Sequence, residues 1–406
     1  MLTHLTVERF KSLQKVDIDL GHLNVFIGTN ASGKSNLLDA LRVLQGVGYG
    51  FTVSEIFDGK PKSASSLAWD GIRGGSAGAA LKLAAPKKGP NPHKNTIRLA
   101  VRIQNADGLY EYEIVLNPLI GAVRYERLSV DGAKLFVTER TTQRTPTLAA
   151  RVYLGKVGNP PKHDFERNRS ILVQLQGDKT LPVERHNHLQ ACLAALSDLQ
   201  RLDLAPGLLR DYSQRQSAER LGERGEDFAA LVKTIAADKQ TRAEYVSWLR
   251  ELTPTEVGDI KILQGAVKEP LFALKEGKNV FPAQILSDGT LRFAALAAAM
   301  FQPAMPGLIL LEEIENGIHP TRLRLLVELL RSRAVGGKTQ LLVTTHSPIV
   351  LAWLKPEEYA ATFFCQRDAS GISRILPVRD LPEFQAIVRK TPISDLFAEG
   401  WLESAL

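Results

Sequence analysis

Residues 28–35 read Gly28-Thr29-Asn30-Ala31-Ser32-Gly33-Lys34-Ser35, a complete G-x-x-x-x-G-K-S loop. The apolar run Leu23-Asn24-Val25-Phe26-Ile27 precedes it, and the helix-like Asn36-Leu37-Leu38-Asp39-Ala40-Leu41 follows. Strand, glycine-rich loop and helix in that order make a phosphate cradle. The glycines let backbone N–H groups approach an anion with no Cβ in the way, and the helix points its positive end at the same spot. Lys34 would then reach the β- and γ-phosphates, and the Ser35 hydroxyl is the candidate ligand for Mg2+. Gly28, Asn30, Gly33, Lys34, Ser35 and Asn36 form the candidate nucleotide-binding set.

Three more segments follow in order. Leu286-Ser287-Asp288-Gly289-Thr290-Leu291-Arg292 leads into the alanine-rich run 293–301. Gly307-Leu308-Ile309-Leu310-Leu311-Glu312-Glu313 reads as an apolar strand ending in two carboxylates. Gln340-Leu341-Leu342-Val343-Thr344-Thr345-His346 is another apolar strand ending in a histidine.

With these segments the chain resembles the ABC-type ATPases, in particular the RecF/SMC-like branch and the stand-alone AAA-family ATPases related to the overcoming-lysogenization-defect (OLD) proteins. The opening Leu5-Thr6-Val7-Glu8-Arg9-Phe10-Lys11-Ser12-Leu13 also looks like the first strand and turn of that group. The resemblance implies an α/β fold: an ABC-type P-loop NTPase head with a mixed sheet, an antiparallel β-subdomain and a compact helical insertion. It makes residues 286–289 the signature motif, 308–313 the Walker B strand, 315–320 the D-loop region and His346 the switch histidine. Ser287 and Gly289 would then cap the nucleotide, Glu312 would hold the metal, and Glu313 and His346 would be the catalytic pair acting on ATP. The family usually has Asp at the Walker B metal position, where this chain has Glu312. No glutamine stands out for the Q-loop, although residues 65–75, with Trp69-Asp70, sit where it would fall.

The residues support parts of this by themselves. Carboxylates at the carboxyl edge of a parallel sheet lie where α/β proteins bind ligands. Buried acids are costly there unless a metal or hydrogen bonds satisfy them. A carboxylate at Glu313 can accept a proton from attacking water. A short L-S-x-G string is a common cap-and-turn pattern, and its place ahead of an acidic strand end is what marks it.

The 406 residues carry a formal net charge of +7, with an isoelectric point near 9.3, which favours a polyanion and leaves nucleic acid as a possible partner. No stretch of about eighteen apolar residues and no signal-peptide pattern occur, so no membrane partner is expected and a cytoplasmic location is predicted. Cys192 and Cys365 are far apart, without metal-ligand spacing, which excludes a disulfide framework.

Residues 1–50 read as strand, hairpin, strand, P-loop and helix, and 60–94 as loop. Alternation over 96–103, 109–115, 123–130 and 134–137, with turns at Ala106-Asp107-Gly108 and Asp131-Gly132, predicts an antiparallel meander. Residues 140–169 are basic, with Arg140, Arg144, Arg151, Lys156, Lys162, Arg167 and Arg169. Helical periodicity then holds from 186 to 256, and a strand or two leads into the signature. The division expected is 1–160 for a first ATPase lobe with the P-loop and antiparallel β-subdomain, 161–280 for a mainly helical insertion, and 281–406 for a second lobe with signature, Walker B and switch histidine. Residues 221–228, Leu221-Gly222-Glu223-Arg224-Gly225-Glu226-Asp227-Phe228, resemble a recurring segment of OLD-related ATPases.

One P-loop and one signature motif per chain imply, through the resemblance, two half-sites that a homodimer or higher homo-oligomer completes around ATP. Sixty residues follow His346, too few for the Toprim nuclease domain of OLD proteins, which runs to roughly a hundred. The expectation is therefore an ATP-binding and ATP-hydrolysing switch for a separate effector such as a nuclease or toxin, in antiphage defence. The alternative is a RecF-like DNA-binding ATPase.

Overall fold

In a computed structural model, the described residues are 1–61, 68–81, 95–139, 145–154, 159–252, 257–336 and 339–401. The chain forms two compact units. One comprises Met1–Gly21, Gly28–Leu199 and Phe363–Pro377; the other comprises His22–Ile27, Gln200–Thr362 and Val378–Leu406.

The first unit is built on antiparallel pairing. Strand Leu2–Phe10 pairs with Leu13–Asp19 on one side and with Ile97–Asn105 on the other. The sheet continues through Gly108–Asn117, Ala122–Val130, Ala133–Thr138, Thr147–Val152 and Lys162–Glu166. Alternation decides which face is buried: Ile97, Leu99, Val101 and Ile103 point inward, while Arg102 and Gln104 face out. The tight hairpin at Asp131-Gly132 has φ of 48° and 79°, the doubly left-handed geometry that an Asp-Gly pair supplies. The helix after the P-loop, Lys34–Gly48, packs on helix Val183–Ser197, and Gly48 lets the two backbones approach.

The second unit holds parallel strands. Leu308–Leu311 pairs with Gln340–Thr345, which pairs with Leu23–Ile27. All three are buried along their whole length, as the mainly apolar runs require of a parallel sheet covered on both faces. Helices Asp288–Met300, Pro320–Gly336, Phe228–Ala237 and Lys239–Leu252 belong here, with an antiparallel sheet of Val257–Gln264, Pro270–Glu276 and Asn279–Pro282. The Phe228 and Phe272 rings meet with centroids 4.7 Å apart and planes tilted by 51°, and the Tyr245 hydroxyl donates to the Ala294 carbonyl at 2.9 Å.

The mixed sheet, the antiparallel meander and the helices agree with the α/β head expected. Several elements differ in detail. Strand Leu199–Leu202 lies inside the stretch read as helical, because four residues with Gln200 and Arg201 at the centre carry no usable period. The strand read as running to Glu313 stops at Leu311. The stretch read as loop over 60–94 contains the short helix Gly75–Ala79, and its residues 62–67 and 82–94 lie outside the described ones. Among the described residues no helix is long and apolar enough to cross a membrane.

Candidate functional site

Two of the loop glycines are enforced by packing. A Cβ on Gly28 would lie 2.1 Å from the Cys365 carbonyl oxygen, and one on Gly33 would lie 2.5 Å from the Ser373 hydroxyl. Gly33 also has φ 109°, which suits glycine alone, and Ala31 adopts φ 63°. Lys34 is buried, and its ammonium donates to the carbonyls of Gly28 at 2.6 Å and Thr29 at 2.9 Å, so the cation curls over its own loop. The Ser32 hydroxyl is buried with no hydrogen-bond partner among the described residues. A backbone cradle too tight for a Cβ, a buried cation and an orphaned hydroxyl fit a phosphate group. Asn30 is exposed on the loop. Asn36 donates to the Ser12 hydroxyl at 2.7 Å, which in turn meets Ser373 at 2.7 Å. Burial pushes the Cys365 thiol up to about 12, with Lys34 acting the other way.

Three residues around this helix carried no role in the sequence reading. Asp39, almost fully buried, takes Lys11 at 2.5 Å and Arg73 at 2.9 Å. Arg73 also donates to the Ser35 carbonyl at 2.9 Å. The sequence signal was an acid one turn after Ser35 on a buried helix face. Arg73 occupies the segment in which a Q-loop glutamine was sought, of which residues 65–67 lie outside the described ones.

In the second unit the three parallel strands share one carboxyl edge. Thr345 is in register with Ile27 and Leu311 with Val343, and Glu312 and His346 follow directly on their strands at this edge. Just past Leu311, Glu312 is held by Arg201, at 2.7 Å from Nε and 2.6 Å from Nη2, both to Oε1. Arg201 also donates to Glu223 at 2.8 Å, within the segment 221–228 singled out by resemblance. Burial works against the Arg201 charge, yet Glu312 and Glu223 outweigh it and raise its pKa. Nothing in the sequence marked Arg201, which lies 111 residues from its carboxylate partner.

Glu313 sits at φ 47°, a left-handed conformation that costs a non-glycine residue about 1 kcal/mol or more. The surroundings enforce it. Its N–H donates to the Thr344 hydroxyl at 3.0 Å, the next N–H donates to the Thr344 carbonyl, and its Oε2 accepts from Asn316 at 2.5 Å. Two residues on, Glu315 Oε1 accepts from the His346 backbone N–H at 2.7 Å and lies 2.9 Å from His346 Nδ1. The turn 313–316 is thus pinned to strand Gln340–Thr345 and to His346, which follows it.

Ser287 caps helix Asp288–Met300, its Oγ accepting from the Thr290 N–H at 3.2 Å. A Cβ on Gly289 would lie 2.2 Å from the Gly317 carbonyl oxygen, so this helix start packs directly on the turn that carries Glu313 and Glu315. Arg292, one helical turn on, donates to the Leu204 carbonyl at 3.0 Å. Burial lowers its pKa against the pull of Asp203, Glu313, Glu315 and Asp288. The second unit therefore gathers Gly289, Arg292, Glu313, Glu315 and His346 around one turn.

Of the basic stretch, Arg151 and Lys162 share Glu139 at 2.7 and 3.0 Å, and Arg167 donates to the Thr147 carbonyl. Arg140, Arg144 and Lys156 lie outside the described residues. Cys192 and Cys365 are free and buried.

Known proteins resemble the chain in matching ways. Residues 200–352 match the family described as "AAA domain, putative AbiEii toxin, Type IV TA system", and residues 1–67 match the "AAA ATPase domain" family. A DNA replication and repair protein RecF of Lactobacillus acidophilus is 52% identical over 44 residues, which span 11% of this chain and 12% of that protein. An SMC head, solved bound to the C-winged helix domain of ScpA, superposes with a TM-score of 0.50 at 15% identity, covering 92% of this chain and 97% of that one. The chain thus shares the fold of an SMC head, matches AAA-type ATPase families over residues 1–67 and 200–352, and is similar to the ABC-type P-loop ATPases of the RecF/SMC-like branch.

Proposed function

We propose that the chain binds ATP with Mg2+, closes on it as a homodimer, hydrolyses it, and uses that cycle to gate a separate effector. The observation that carries this reading is the turn 313–316, held in a strained backbone conformation by Thr344 and Asn316 with Glu315 on His346. Strain maintained by so many contacts is a mark of functional sites. Lys34 and the loop N–H groups would take the phosphates, and Glu313 would accept the proton of the attacking water. His346 would answer to the γ-phosphate. Ser287 and Gly289 would close over nucleotide held by a second copy. Bound Mg2+ would neutralise charge on the β- and γ-phosphates, with Ser35 and Glu312 as the residues to hold it.

Glu313→Gln tests the hydrolytic part. The amide cannot take up the water's proton, so the variant is expected to bind ATP as the wild type does, to lose turnover, and to accumulate as an ATP-bound dimer in light scattering. Near wild-type turnover in Glu313→Gln, with Glu312→Gln inactive, would overturn the assignment of the base.

For the effector, we favour a nuclease or toxin in antiphage defence, acting in the cytoplasm in the manner of OLD-related ATPases. The toxin–antitoxin description of the family matched over 200–352 supports it. Co-expression with adjoining genes under phage challenge tests it: protection that Lys34→Ala abolishes is expected, and protection indifferent to Lys34 refutes it. The short RecF match favours a second reading, action on DNA during repair. That reading requires ATP-dependent DNA binding that weakens steeply with salt, because each lost phosphate contact lowers the log–log slope by about 0.7 to 0.9.

A further inference from the structure

Glu315 is a buried carboxylate, its side chain 8% exposed, on a turn whose other acid, Glu313, is already assigned. A buried carboxylate is costly to place unless donors satisfy it. Its Oε1 accepts from the His346 backbone N–H at 2.7 Å and lies 2.9 Å from His346 Nδ1. Its other oxygen, Oε2, is buried with no hydrogen-bond partner among the described residues. Glu315 also acts on the charge of Arg292 in helix Asp288–Met300, as Glu313 does. The side-chain hydrogen bond that Glu315 makes among the described residues is thus to His346.

An ionised carboxylate has no proton to give, so a ring nitrogen at 2.9 Å from Oε1 must carry the proton between them. We infer that Glu315 is a positioning residue for His346: it fixes Nδ1 as the protonated ring nitrogen and leaves Nε2 as the atom offered to the nucleotide. The inference rests on the ATPase reading for its purpose, but the tautomer it assigns does not. The same Oε1 grips the His346 main chain, so ring and backbone are set by one group. A neutral ring so held offers a lone pair at Nε2. Only the doubly protonated ring donates there. With its side chain 40% exposed, His346 keeps a face open to a ligand while its Nδ1 side is fixed.

The test is 15N NMR of the full chain labelled in histidine, at a pH where the ring is neutral, on the wild type, Glu315→Met and Glu315→Gln, with the His346 signal assigned by its loss in His346→Ala. The wild type is expected to show Nδ1 protonated and Nε2 with the shift of an unprotonated nitrogen. Glu315→Met removes the acceptor and should shift the population to the Nε2–H form. Glu315→Gln keeps an acceptor oxygen and should retain the Nδ1–H form. In parallel, kcat for ATP should fall about 10- to 100-fold in Glu315→Met with little change in the ATP dissociation constant, because orientation rather than binding is lost. Glu315→Gln should recover most of the rate. An Nε2–H ring in the wild type, or an unchanged tautomer in Glu315→Met, overturns the inference. If Glu315→Met does not fold, the wild-type and Glu315→Gln spectra decide alone. If the wild type hydrolyses no ATP, the ATPase reading fails while the ring assignment still stands or falls by NMR.

Discussion

Gly289 gives the sharpest test of how the signature helix and the carboxylate turn depend on each other. A Cβ at Gly289 would sit 2.2 Å from the Gly317 carbonyl oxygen, where ordinary contacts begin at 3.4 Å, so Gly289→Ala forces a separation of about 1 Å. The obstacle is backbone and cannot rotate away. Either the helix start recedes or the turn 313–317 moves, and overpacking of this kind costs about 1–3 kcal/mol. At about 2–4 °C per kcal/mol for a unit of this size, the midpoint of thermal unfolding without nucleotide should fall by about 2–12 °C. Because the displaced turn carries Glu313 and Glu315, a 1 Å error there should lower kcat about a hundredfold. Binding of a fluorescent ATP analogue at the P-loop should change little. Gly207→Ala is the control, since a Cβ there meets nothing within 4 Å. Wild-type unfolding and wild-type turnover in Gly289→Ala would refute the packing argument, whatever the role of Gly289 toward a second copy.

Other expectations concern single residues. Lys34→Ala should abolish nucleotide binding in calorimetry while the circular dichroism spectrum stays unchanged, because the cation that neutralises the phosphates is lost. Burial raises the pKa of Glu126 above the ordinary 4.5, against hydrogen bonds from Ser170, Ile171, Leu172 and Tyr112. The folded state therefore holds that proton more tightly, and the residue's contribution to stability is greatest below pH 4.5 and declines as pH rises toward the folded-state value. Denaturant titrations should show a shallower decline in Glu126→Gln, and identical slopes would contradict the assignment. Burial also raises both thiols, so a thiol reagent at neutral pH should label neither Cys192 nor Cys365 until the chain unfolds; rapid labelling of the native chain would refute it.

The places of the loop 28–35, the Ser287 cap, the acids after Leu311 and His346 were legible because each is a contiguous string beside its secondary structure. The antiparallel meander was legible for a related reason, since Ile97, Leu99, Val101 and Ile103 alternate without interruption. What escaped depends on distant partners. Arg201 meets Glu312 across 111 residues, and its strand, Leu199–Leu202, is too short to show a period. Glu313 was identifiable as an acid at a strand end. Its left-handed backbone is imposed by Thr344 and is not a preference of glutamate. Glu315 fell within the stretch 315–320 that the resemblance made the D-loop region, and its grip on His346 exists only once the two strands lie side by side.

The pairing of Leu23–Ile27 with Gln340–Thr345 has a consequence for biogenesis. The Asn24 amide reaches the Leu341 carbonyl across 317 residues of chain. At about 5–20 residues per second, a ribosome leaves the strand that feeds the P-loop without its neighbour for roughly 15 to 60 s. Throughout that interval an apolar β-segment with open edges is exposed to the cell. Its protection must come from a chaperone or from transient non-native pairing, and the nucleotide site is among the last parts of the newly made protein to form.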